Sequence, residues 1–146
     1  MLRIFLIAIL ISVNAASAWS QQVVTDDSCK GTYDSLYGGP VFLFVNEMPV
    51  YPGGDYGQVK FFNEHFRYPV REETYQTRVA VSYFVTPAGK IVHPHISGKS
   101  PKEYTLVDQE AIRVIKLMRR FKPGKCNGRK VAVMMTYRVS CMILQE

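Results

Sequence analysis

Two hydrophobic spacings share this chain, one repeating every second residue and one every three to four. From Arg78 to Thr86 the residues alternate, with Val79, Val81, Tyr83 and Val85 on one face and Ala80, Ser82 and Phe84 on the other. That is the period of a β-strand. Thr86-Pro87-Ala88-Gly89 puts proline second and glycine fourth, a type I turn pattern. Ile91 to Ile96 then resumes the apolar run, so the two segments predict a tight hairpin. The longest alternation runs from Val131 to Leu144. It sets Val131, Val133, Met135, Tyr137, Val139, Cys141 and Ile143 against Ala132, Met134, Thr136, Arg138, Ser140 and Met142.

Helical spacing occurs twice. After Asp55, the positions Val59, Phe62 and Phe66 recur at helix intervals, and Tyr68-Pro69 ends the run because a residue before proline is pushed out of the α region. Thr105 offers an N-cap hydroxyl with Asp108 three places on. Val107, Ala111, Val114, Ile115, Met118 and Phe121 follow as one apolar stripe, with Asp108, Arg113, Lys116 and Arg120 expected to face water. Pro123-Gly124 stops this helix, and Asn127-Gly128 turns the chain into the last strand. Val41 to Val45 is a candidate short strand. Gln21 to Pro40 is polar and turn-forming with no sustained period, and reads as a mobile lead-in. The order helix, strand, strand, helix, strand predicts an α+β fold: two helices packed on one face of a three-stranded antiparallel sheet.

This topology has a consequence for the sheet edges. A tight turn joins the first two strands, so the third lies outside them, whichever of the two it neighbours. In the second hairpin strand Pro94 has no amide to donate, and His93 and His95 flank it, which suits a blunted edge. The third strand has no proline and, at about 3.3 Å per residue, would reach about 46 Å. Part of its edge is expected to stay unpaired and open to an added strand. The alternative is that Val41 to Val45 folds back to cover it.

The N-terminus changes the compartment. Met1 and Arg3 precede an apolar run from Ile4 to Val13 that leads into Ala16-Ser17-Ala18. This is the layout of a cleaved secretory signal peptide, residues 1–18. A spanning helix needs about 20 apolar residues, and Asn14 interrupts this run. Residues 19–40 then form a flexible lead-in and residues 41–146 a single domain. The formal net charge of +6 means little in an exported chain beyond acidic partners, anionic surfaces or solubility.

Three cysteines fit an oxidising compartment. Cys29 and Cys126 lie in polar segments and Cys141 in an apolar alternation, so Cys29 with Cys126 is the favoured disulfide. The alternative is that no intramolecular bridge forms. The chain carries no Gly-x-Ser-x-Gly elbow, no His-Glu-x-x-His helix, no phosphate-binding glycine loop and no Cys-x-x-Cys pair. His93 and His95 are two apart on a strand, but Pro94 and the lack of a nearby third ligand argue for an ordinary polar edge over a metal site. No catalytic residue, metal or cofactor is expected, and the chain does not read as an enzyme.

Taken in order, Tyr68-Pro69, the run Arg78 to Val92, Glu110 to Met118 and Phe121-Lys122-Pro123-Gly124 resemble the C-terminal domain of TonB, the energy transducer of outer-membrane receptors. The segment Glu47 to Gly54 resembles the opening of one branch of that family, and the likeness extends from about Val45 to Leu144. It implies a periplasmic two-helix, three-stranded domain that binds a short receptor peptide beside its third strand. Candidate contacts are Met134, Thr136, Arg138 and Ser140 on that strand, and Arg67, Tyr68 and Pro69, because the family's segment around its Tyr-Pro pair also contacts receptors. The sequence shows neither a convincing spanning anchor nor a long proline-rich linker, so the resemblance implies binding of an outer-membrane TonB-dependent receptor peptide and leaves force transduction open. The alternatives are an uncleaved inner-membrane anchor and a homodimer paired through two third strands. No nucleic-acid partner is expected.

Overall fold

A computed structural model describes residues 29–69 and 76–142. The expected leader, residues 1–18, lies outside them, as do residues 19–28 of the lead-in. Seven strands and two helices follow one another: β1 (Gly31–Asp34), β2 (Gly39–Phe42), α1 (Gly54–His65), β3 (Gln76–Val85), β4 (Ile91–Ile96), α2 (Leu106–Leu117), β5 (Lys125–Cys126), β6 (Arg129–Lys130) and β7 (Val133–Met142). The class is α+β with two helices. The sheet, however, has five strands in the order β1-β2-β7-β3-β4 and is mixed, because β2 meets β7 in parallel. The expected three-stranded antiparallel sheet is its β7-β3-β4 part.

The extra strands come from the segment read as an unstructured lead-in. Asp34 Oδ1 accepts from the amides of Leu36 (2.8 Å) and Tyr37 (3.0 Å), and the Gly38 amide closes the turn on the Asp34 carbonyl at 2.8 Å. Such side-chain-to-backbone bonds build a turn without any hydrophobic period. The hairpin β1-β2 lies over the side of the sheet away from the helices, where Val41 packs with Phe84 and Ala132, and the Tyr37 and Phe84 rings sit 5.4 Å apart. The Val41–Val45 strand expected from the sequence is shifted to Gly39–Phe42: it meets the third strand, as the alternative reading had it, but only at Phe42–Val133, and it also pairs with β1, which the pattern did not show.

On the opposite side Val79, Val81, Tyr83 and Val85 of β3 join Met135, Tyr137 and Val139 of β7 beneath the helices. α2 buries the expected stripe, Val107, Ala111, Val114 and Ile115. Asp108 departs from expectation, being fully buried rather than facing water. Its Oδ2 accepts both the Lys99 ammonium (2.7 Å) and the Thr105 amide (3.0 Å), while the Asp108 amide bonds Thr105 Oγ1 at 3.2 Å. The cap and the ion pair together hold the carboxylate inside. α1 also departs: Val59 is exposed, and the buried positions are Gln58 and Phe62. Gln58 Nε2 donates to the buried Tyr83 hydroxyl at 3.1 Å, so a polar pair fills the place the apolar period gave to Val59.

Gly89 secures the β3-β4 turn to the rest of the domain. Its φ of +77° is the left-handed region, and a Cβ there would strike the Phe121 carbonyl. The Phe121 amide donates to the Gly89 carbonyl at 2.9 Å, locking the turn onto the chain leaving α2.

Candidate functional site: an open strand edge

One hydrogen bond shows the phase of β7, which with β3 is the longest strand. The Phe42 amide donates to the Ala132 carbonyl at 2.9 Å, and Phe42 pairs with Val133. Main-chain groups alternate sides along a strand. Met134, Thr136, Arg138 and Ser140 therefore direct their N–H and C=O groups away from β3, and Val133, Met135, Tyr137 and Val139 direct theirs toward it. β2 reaches only the Val133 position. From Thr136 onward, no strand among the described residues pairs with this side of β7. Thr136 to Met142 offers about 23 Å of ladder at 3.3 Å per residue.

The side chains of the same residues lie on the sheet face away from the helices. Thr136 Oγ1 is 2.9 Å from Ser82 Oγ, which also meets Ser97 Oγ at 2.6 Å, so the buried serine is satisfied. Met134 packs against the Phe84 cluster, whereas Arg138 and Ser140 are exposed.

The opposite edge is closed to such pairing. Between Ser82 and Phe84 the register with β4 shifts, and His93 takes a φ of 49°. Pro94 has no amide, His95 Nδ1 lies 3.0 Å from the His93 carbonyl, and the outward Ile96 amide donates to the Tyr104 hydroxyl at 3.1 Å. A bulge, a proline and a tyrosine cap leave this edge little to offer an incoming strand. The sequence signal for the bulge was Pro94; nothing in the linear pattern marked Tyr104 as a cap.

Arg67, Tyr68 and Pro69 form a different surface. With Leu106, Gln109, Glu110 and Arg113 they line an open depression of about 490 Å³ that includes none of the β7 candidates. Glu110 organises it: Oε1 accepts the Arg67 amide at 2.9 Å and Arg113 Nη2 at 2.6 Å, while a second Arg113 bond goes to the His65 carbonyl at 2.8 Å. The Arg113 guanidinium holds the Glu110 carboxyl below its ordinary range, the Arg67 amide helping. Cys29 and Cys126 are joined, with Cα atoms 5.7 Å apart, tying the start of the β1-β2 hairpin to β5. The side chain of Cys141 lies outside the described residues. No group of three or more His, Cys, Asp or Glu among the described residues could hold a metal ion, and no described helix is long and apolar enough to cross a membrane.

Residues 64–140, just over half of the chain, match the family model described as Gram-negative bacterial TonB protein C-terminal. No curated protein and no solved structure gives a match. Domains of this family are protein-interaction modules of TonB-dependent transport; they work in the periplasm and meet outer-membrane receptors. The helix pair, the antiparallel β3, β4 and β7 strands and the matched residues agree: this chain belongs to the TonB C-terminal domain family.

Proposed function

We propose that this chain is a periplasmic binding module that takes an extended receptor peptide as an added strand along the outer edge of β7. The observation that supports it most is the contrast between the two edges: outward groups from Thr136 to Ser140 face no described strand, whereas the β4 edge is bulged and capped. Backbone hydrogen bonds would supply affinity, and alternate side chains of the peptide would meet Met134, Thr136, Arg138 and Ser140. The Arg67-Tyr68-Pro69 depression is a second contact region, reached by another part of the receptor.

Proline scanning tests this directly. Thr136→Pro and Arg138→Pro each remove an outward amide, whereas Val139→Pro removes one bonded to β3 and should unfold the domain. The first two variants should stay folded and lose affinity for a receptor-derived peptide by about five- to tenfold for each bond removed. Unchanged affinity in both folded variants would exclude the β7 edge and send the search to Arg67-Tyr68-Pro69. A homodimer through paired β7 edges would instead show a concentration-dependent mass in light scattering that added peptide leaves unchanged.

A further inference from the structure

Between Leu43 and Val50 the chain leaves large apolar side chains in water: Phe44 is 70% exposed and Leu43 55%, and Met48 and Val50 are exposed as well. This stretch has no helix or strand of its own, yet its backbone is held in place. Val50 and Lys122 exchange hydrogen bonds at 3.0 and 2.8 Å, Glu47 and Lys125 at 3.1 and 2.8 Å, and Asn46 Oδ1 accepts the Asn127 amide at 2.8 Å. Phe42, Cys126, Asn127 and Arg129 line one surface depression, so Leu43 and Phe44, which follow Phe42, stand near the β5-β6 hairpin.

That neighbouring stretch is strongly cationic. From Arg119 to Lys130 the chain holds six basic residues and no acidic one. Glu47 is shared between Lys122 (3.7 Å) and Lys125 (3.3 Å), while exposed Arg129 and Lys130 have no ion pair among the described residues. An apolar strip and a basic strip therefore run side by side, clipped together by main-chain bonds, so little ordering is left to be done on docking. Isolated exposed apolar residues are ordinary on protein surfaces, but four within eight positions beside a basic run are a patch. Lysine is depleted in protein–protein interfaces. Lysine beside exposed leucine and phenylalanine is the composition that lies on an anionic bilayer, with apolar groups below the headgroups and ammonium groups among them.

We propose that the Leu43–Val50 and Lys122–Lys130 strip is a peripheral docking surface for a bilayer containing anionic phospholipid. It is independent of the β7 edge. The full chain should co-sediment with phosphatidylcholine vesicles containing phosphatidylglycerol. Arg129→Gln with Lys130→Gln should weaken that binding by about 25-fold, at about fivefold for each basic side chain. Leu43→Ser with Phe44→Ser should weaken it by about tenfold through lost apolar burial. Both pairs are surface changes, and circular dichroism should show the wild-type fold. Because residues 1–18 are themselves apolar, a local readout accompanies sedimentation: a tryptophan placed by Phe44→Trp in a Trp19→Phe chain should be quenched by brominated acyl chains only when phosphatidylglycerol is present. Absence of that quenching overturns the proposal. So does binding of polyglutamate through Arg129 and Lys130 without any vesicle binding, which would identify an acidic protein as the partner.

Discussion

The Tyr104 hydroxyl accepts the outward amide of Ile96 at 3.1 Å, and so a side chain from the connection before α2 closes an outward donor of β4. Tyr104→Phe should keep the ring in the core and lose about 1 kcal/mol of stability, the net worth of one such bond. Hydrogen exchange at Ile96 should quicken, while peptide affinity at β7 stays as it was. If Ile96 keeps its full protection in the variant, the hydroxyl is not its partner in solution.

Asp108 should be among the least replaceable polar residues. It caps α2, bonds the Thr105 amide and neutralises Lys99 from a fully buried position. Asp108→Ala removes its half of the capping box and the partner of the part-exposed Lys99 ammonium, at a cost of roughly 2 to 4 kcal/mol by denaturant unfolding. Lys99→Met should cost at least as much, because it leaves the fully buried carboxylate without its cation. Equal stability of the Asp108→Ala and wild-type chains would show that the carboxylate contributes nothing net.

Alkaline stability should report on the polar pair beneath α1. Burial pushes the Tyr83 hydroxyl up from 10.0 to about 12, opposed in part by its hydrogen bond from Gln58. A raised pKa means that the neutral phenol is favoured in the folded state. Its contribution is therefore complete below pH 10 and is lost as pH rises toward about 12, where the unfolded chain has already released its proton. The loss across that window should be roughly 2 kcal/mol. Tyr83→Phe should flatten this part of the stability profile, and a profile identical to wild type would refute the assignment.

The sequence by itself determined the elements whose side chains face a single environment. The α2 stripe, the β3-β4 hairpin with its Pro87–Gly89 turn, and the long β7 alternation were legible because burial on one face writes a period into the residues. The edge blunted at Pro94 was legible too, since a missing amide is a local property. What tertiary structure decided were the features made by partners far apart in the chain. Gln58 rather than Val59 faces inward because Tyr83 supplies a hydrogen bond there, and Asp108 is buried because Lys99 and Thr105 meet it. The β1-β2 hairpin has no period to read, since the Asp34 turn and its packing on Phe84 hold it in place. The phase of β7, which fixes the residues that present their backbone to a partner, rests on the bond from Phe42 to Ala132. No local pattern encodes that phase, because alternation names the faces of a strand but not which of its sides meets a neighbour.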